Sequence, residues 1–85
     1  MDGNALTEAM TIADAPATTR EAAAALRARF EGIKVVVVDA FDMRGETPAA
    51  AGERRALYFG ASDGHCWQVT SDPTQVSELF LSERS

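Results

Sequence analysis

His65 and Cys66 are the one adjacent pair in this chain that could do nucleophilic or metal chemistry, being its single histidine and single cysteine. Neighbours on an extended strand project to opposite faces, so the two cannot readily share one ion or act as base and nucleophile on one substrate. Zinc asks for three or four ligands at recurring spacing, and one cysteine plus one histidine do not supply them. No Ser-His-Asp arrangement can be built on a histidine that flanks a turn. Cys66 therefore reads as a small core residue and His65 as an exposed flank. The sequence predicts no catalytic residue, no metal and no cofactor.

The next candidates are charged. Asp39, Asp42, Glu46 and Glu53 surround a glycine- and proline-bearing loop. Paired carboxylates can move protons or hold hard cations, but their spacing matches no regular calcium loop. They read as solvated loop charge, or as a negative patch that meets a basic partner. Arg54 and Arg55, with Arg44 across the loop, could hold a phosphate or carboxylate. As charge on an edge strand they would instead discourage edge-to-edge pairing. Gly45, Gly52, Gly60 and Gly64 match neither a phosphate-binding loop nor a dinucleotide fingerprint.

The elements that must position these residues are readable from pattern. Residues 1–17 read as a flexible arm, with Leu6, Met10 and Ala13 making a short apolar stripe closed by Pro16. Thr18 followed by Glu21 is a capping box, and the alanines at 22–25 favour a helix over 19–31. Gly32 is placed to end it in a left-handed conformation. Residues 33–43 are β-branched and then aromatic, which predicts a strand. Its Val35–Val38 run is apolar on both faces, as in a strand covered on both sides, and Asp39 marks a bulge or the point of exit. Residues 44–53 read as a long hairpin loop and 54–62 as a second strand. Asp63-Gly64 reads as a type I′ turn, and 65–71 as a third strand. That turn would set Ser62 opposite His65, Gly60 opposite Trp67 and Tyr58 opposite Val69. Asp72 is a good N-cap and Pro73 a good first helical residue. Val76, Leu79 and Phe80 then make a helical i, i+3, i+4 stripe.

The expected fold is α+β: a three-stranded antiparallel meander with two flanking helices, in the order α-β-β-β-α, packed mainly on one face. A flexible N-terminal arm over 1–17 would precede a single domain over 18–85. The helix–strand–strand–strand–helix order resembles the double-stranded-RNA-binding domain in topology. That family carries basic residues where the last helix opens, and here Asp72-Pro73-Thr74-Gln75 stands there. The resemblance therefore implies architecture and not RNA binding.

Composition narrows the function classes. With 85 residues the chain forms one domain at most and has little room for a deep cleft. A hydrophobic content of 46% is too high for a disordered chain. A net charge of −5, with Lys34 the one lysine, opposes direct binding to nucleic acid or to an anionic membrane. Acidity suits solubility or a basic partner. A lone cysteine and an N-terminus without a basic, then apolar, leader suggest the cytoplasm. No apolar run approaches a membrane span.

Large apolar side chains appear on both sides of the expected sheet: Tyr58, Trp67 and Val69 on one, Leu57 and Phe59 on the other. Helices on one face would leave the second partly bare, and a contiguous apolar patch marks an interaction site. Tyr and Trp are also common interface anchors. The expected function is a small non-enzymatic interaction module: an adaptor, inhibitor or accessory subunit contacting a protein partner or a second copy through an apolar sheet face. One alternative is an acidic mimic of nucleic acid. Another is a small ligand-binding protein or enzyme whose site forms across a dimer.

Overall fold

A computed structural model describes residues 1–62 and 67–84, with the side chain of Trp67 outside the description. The Asp63-Gly64 turn, His65 and Cys66 thus lie outside the described residues.

Helix α1 (Gly3–Asp14) begins where the Asp2 carboxylate accepts the Ala5 N–H at 2.7 Å. This is the segment that pattern alone reads as a flexible arm. Its Ala9 and Ala13, one turn apart, are wholly buried in the main core. Side chains this small let α1 lie close against its neighbours. Helix α2 (Thr19–Arg29) opens on the expected capping box. Glu21 N–H donates to Thr18 Oγ1 at 3.1 Å and Thr18 N–H to Glu21 Oε2 at 3.3 Å. It ends two residues early, at Phe30 with φ −120°. Gly32 is not the left-handed cap, since Gly45 alone among the described glycines has positive φ.

Five strands follow: β1 (Lys34–Val37), β2 (Ala50–Ala51), β3 (Arg55–Ser62), β4 (Trp67–Thr70) and β5 (Glu78–Glu83). A short 3-10 helix (Pro73–Gln75), capped by Asp72, precedes β5. The sheet is mixed. β5 lies between β1, to which it is parallel, and β3, to which it is antiparallel. The far edge of β3 is shared by β2 at Ala56 and Leu57 and by β4 from Phe59 to Ser62. The fold is therefore α+β with two helices, but not the antiparallel three-stranded meander.

The correction comes from the last segment. Asp72 and Pro73 start only a single 3-10 turn, and residues 78–83 are a strand rather than a helix. Leu79, Phe80 and Leu81 are three consecutive apolar residues, all fully buried. A helix would send one of them towards solvent; a strand covered on both faces buries all three. Without a closing helix, the topological likeness to the double-stranded-RNA-binding domain is also lost.

Both helices cover one face of the sheet. Val35, Leu57, Phe59, Leu79 and Leu81 pack there against Ala9, Ala13, Ala22, Ala23 and Leu26. On the opposite face Ala56, Tyr58 and Phe80 pack with Val36, Val38 and Val69, and Met43 closes over them. Met43 arrives there because the first strand is shorter than its sequence suggests. Asp39 Oδ1 accepts the Phe41 N–H at 2.8 Å. Turn bonds then run from Asp42 to Asp39, Met43 to Ala40 and Arg44 to Phe41. The chain coils over residues 39–44 and sends Met43 inward, 4% exposed, and Phe41 outward, 64% exposed.

The β3–β4 register is Ser62 opposite Trp67 and Gly60 opposite Val69. This is two residues away from the register expected of a tight turn. A shift of two keeps every residue on its expected face. The space over Gly60 is filled by Phe80 of β5 rather than by Trp67: a Cβ at Gly60 would lie 2.5 Å from Phe80 Cε2.

A polar clasp ties α1 to the sheet. The Asp14 carboxylate accepts the backbone N–H groups of Arg54 (2.7 Å), Arg55 (3.0 Å) and Glu53 (3.1 Å). Gly52 leaves room for it, since a Cβ there would meet Asp14 Cγ at 2.5 Å. The Arg54 N–H foremost, then those of Glu53 and Arg55 and the Arg54 charge, hold the Asp14 carboxyl below its ordinary range against the opposing cost of desolvation. Arg55, which charge pattern alone places on an exposed edge, is 3% exposed. Its Nη1 donates to the Ala13 and Pro16 carbonyls at 2.8 Å each, and Nε donates to Thr19 Oγ1 at 3.3 Å. A buried cation is tolerable here because carbonyls at the end of α1, its negative pole, surround it.

Candidate functional site

Strand β1 enters the sheet beside β5, and the 39–44 turn then carries the chain back over the helix-free face. Between this turn and β4 lies a cavity of about 470 Å³ lined by Val37, Val38, Asp39, Asp42, Met43, Glu46, Gln68 and Val69. Its walls are apolar: Val37 at the end of β1 and Val38 just after it, Met43 from the turn and Val69 from β4. Three carboxylates stand around them. Among the described residues, Val37 and Phe41 are the two large apolar side chains left exposed, at 48% and 64%. The Arg44 guanidinium lies 4.1 Å from the centre of the Phe41 ring, a cation–π contact that props the ring at the turn's outer surface.

The sequence candidates divide across the molecule. Asp39, Asp42, Glu46 and Val69 meet in this cavity. Glu53 does not; it sits at the Asp14 clasp, its N–H bound to that carboxylate. Leu57 and Phe59 lie beneath the helices as core residues, 0% and 5% exposed. Tyr58 is on the helix-free face but only 8% exposed, packed with Met43 and Phe80. The Trp67 side chain lies outside the described residues, though its backbone is opposite Ser62. Arg44, Arg54 and Arg55 do not cluster: one stacks on Phe41, one is exposed and one is buried under α1.

Phe41 falls within the strand that the sequence predicts over 33–43, not on an exposed turn. The signal was present in Asp39, a residue that bonds the backbone two positions on and so starts turns. Reading 39–44 as a turn would have separated Phe41 from Met43.

Chemically, the site is a weakly polar hollow with a negative rim. Among the described residues no three His, Cys, Asp or Glu side chains converge as a metal site. Asp39 spends one oxygen on the Phe41 N–H. The arrangement can receive an apolar side chain and attract a neighbouring cation. No helix among the described residues is long and apolar enough to cross a membrane. Comparison of the chain with protein-family models, with curated proteins and with solved structures finds no match.

Proposed function

We propose that this chain is a small non-enzymatic protein-interaction module, whose contact surface is the acidic, apolar strip formed by Val37, the 39–46 turn and the hollow beneath it. The observation that carries the reading is Phe41. It is a large aromatic residue held 64% exposed by an ordered turn that also carries Asp39 and Asp42. A residue of this kind, the most exposed large apolar group among the described residues, is a typical interface anchor. The carboxylates suit a partner that presents Lys or Arg around an apolar side chain.

The experiment is capture from the source cell with the wild-type chain, with Phe41→Ala and with Asp42→Lys/Glu46→Lys. The reading expects one protein retained by the wild type and lost by both folded variants. Retention by Phe41→Ala at wild-type level would remove this surface from consideration. An acidic decoy for a nucleic-acid-binding protein predicts a different pattern, in which the charge variant alone loses the partner and binding collapses with salt.

A further inference from the structure

We infer that a second cavity on the helix-free face, bordered by residues 40–48, binds the oxyanion group of a small molecule, a phosphate or a carboxylate. The cavity holds about 280 Å³ and shares only Met43 and Glu46 with the hollow of the proposed contact surface. Neither site needs the other. The sheet makes the floor. Ala51 of β2 pairs with Ala56 of β3, and Ala56 pairs with Ser82 of β5. Residues directly opposite one another share a face, so three small side chains run in a row across three strands. One row on, Tyr58 and Phe80 are paired and large. The step between the two rows is the cavity.

Small residues alone would leave only an apolar dent. The polar atoms point to a ligand. Ser82 is 1% exposed, in a strand where the three residues before it are all apolar. Ser82 and Tyr58 both line the cavity. Neither hydroxyl makes a hydrogen bond among the described residues. Neither oxygen is wholly sealed in, since no fully buried side-chain oxygen among those residues lacks a partner. A hydroxyl held out of bulk water without a partner is costly, and a ligand oxygen would supply one. Two arginines line the same cavity. Arg84 Nη1 donates to the Gly52 carbonyl at 2.7 Å, which anchors the guanidinium and leaves its remaining N–H groups for a two-oxygen contact. Arg44 is held only by its contact with the Phe41 ring. The carboxylates of the lining, Glu46 and Glu83, pair with neither arginine; the ion pair among the described residues joins Arg29 and Glu8. Glu83 instead accepts the Thr19 hydroxyl at 2.7 Å. Two hydroxyls and two arginines without carboxylate partners suit an oxyanion and oppose a cation. The volume lies just under that of pockets enclosing a whole drug-sized molecule, so it fits one charged group and little more.

The test is an amide NMR titration of the full chain with inorganic phosphate and, separately, with acetate, each to about 50 mM at constant ionic strength, enough to fill a millimolar site. The expected result is saturable shifts of the Ala56, Ser82 and Arg84 amides. A stronger response to phosphate would name a phosphate-bearing ligand, and a stronger response to acetate a carboxylate. Ser82→Ala and Arg84→Gln should each weaken binding about ten-fold. Arg20→Gln, exposed on α2 over the other face, should leave it unchanged. Arg84 is itself exposed, so its variant decides the matter should Ser82→Ala fail to fold. No saturable shift with either anion would overturn the inference. So would wild-type affinity in Arg84→Gln, or an equal loss in Arg20→Gln. None of these results bears on whether Phe41→Ala loses a captured partner.

Discussion

On the helical side of the sheet, Leu57, Phe59, Leu79 and Leu81 are 0–5% exposed beneath two helices. On the other side the same strands are closed mainly by one side chain, Met43, carried in by a six-residue turn. The helical cover is broad and built from small residues: four of the five helix residues in that core are alanines. The turn is narrow and leaves Val36, Val38 and Val69 only partly buried. Two helices can cover a face that one turn cannot, and the residual apolar surface is where the hollow and its carboxylates lie.

Substitutions can break or sharpen this contrast. Leu57→Ala removes a side chain fully buried under the helices and is expected to cost about 2–5 kcal/mol in a denaturant titration. A cost under about 1 kcal/mol would mean that the helices do not form a close-packed layer. Gly60→Ala drives a Cβ into the Phe80 ring and is expected to cost about 1–3 kcal/mol. Its cost should shrink in a Phe80→Leu background, because the two positions are in contact. Met43→Ala opens the narrower cover and is expected to cost about 1–2 kcal/mol, below Leu57→Ala. It should also speed amide exchange around Tyr58. Equal costs for Met43→Ala and Leu57→Ala would erase the difference between the faces.

The Asp14 clasp supplies an effect that depends on pH. Its carboxyl lies below the ordinary value of 3.8. Its contribution to stability is therefore complete above that value and is lost as pH falls through the lower folded value. Asp14→Asn should lower Tm at neutral pH and flatten the fall in Tm between about pH 5 and about pH 2. A variant whose acid profile matches wild type would show that other carboxylates govern acid unfolding. The smallest effect belongs to Phe41→Ala, expected within about 0.5 kcal/mol of wild type in stability. A larger loss would make Phe41 a structural residue of the turn rather than a contact.

The parts of the fold that were legible in the sequence are those governed by local chemistry. Thr18 and Glu21 announced the start of α2, because a capping box is satisfied within four residues. The valines of β1 fall in a strand, though one that ends at Val37 rather than at residue 43, and the strand expected over 54–62 is β3. The faces of β3 and β4 also came through, since a two-residue register shift does not exchange them. The candidate site was half legible. Asp39, Asp42 and Glu46 were singled out together and do share one hollow, whereas Leu57, Tyr58 and Phe59 turned out to be covered.

What failed did so where local pattern was compatible with two structures. Val76, Leu79 and Phe80 fit a helical stripe, and Leu79-Phe80-Leu81 fit a doubly covered strand. The choice belongs to β1 and β3, which flank that segment from far along the chain and offer both edges for pairing. Residues 3–14 are a short stripe whose worth depends on a surface of α2 and the sheet to receive Ala9 and Ala13. Arg55 looked like edge charge because nothing nearby in sequence says that the end of α1 will supply its carbonyls. The sequence by itself determined the caps at Thr18 and Asp72 and the faces of β3 and β4, each set within a few residues, together with the acidic balance. The tertiary structure alone decided the insertion of β5 between β1 and β3 and the docking of α1. Each of these is stabilised by contacts between distant segments, which no local window contains.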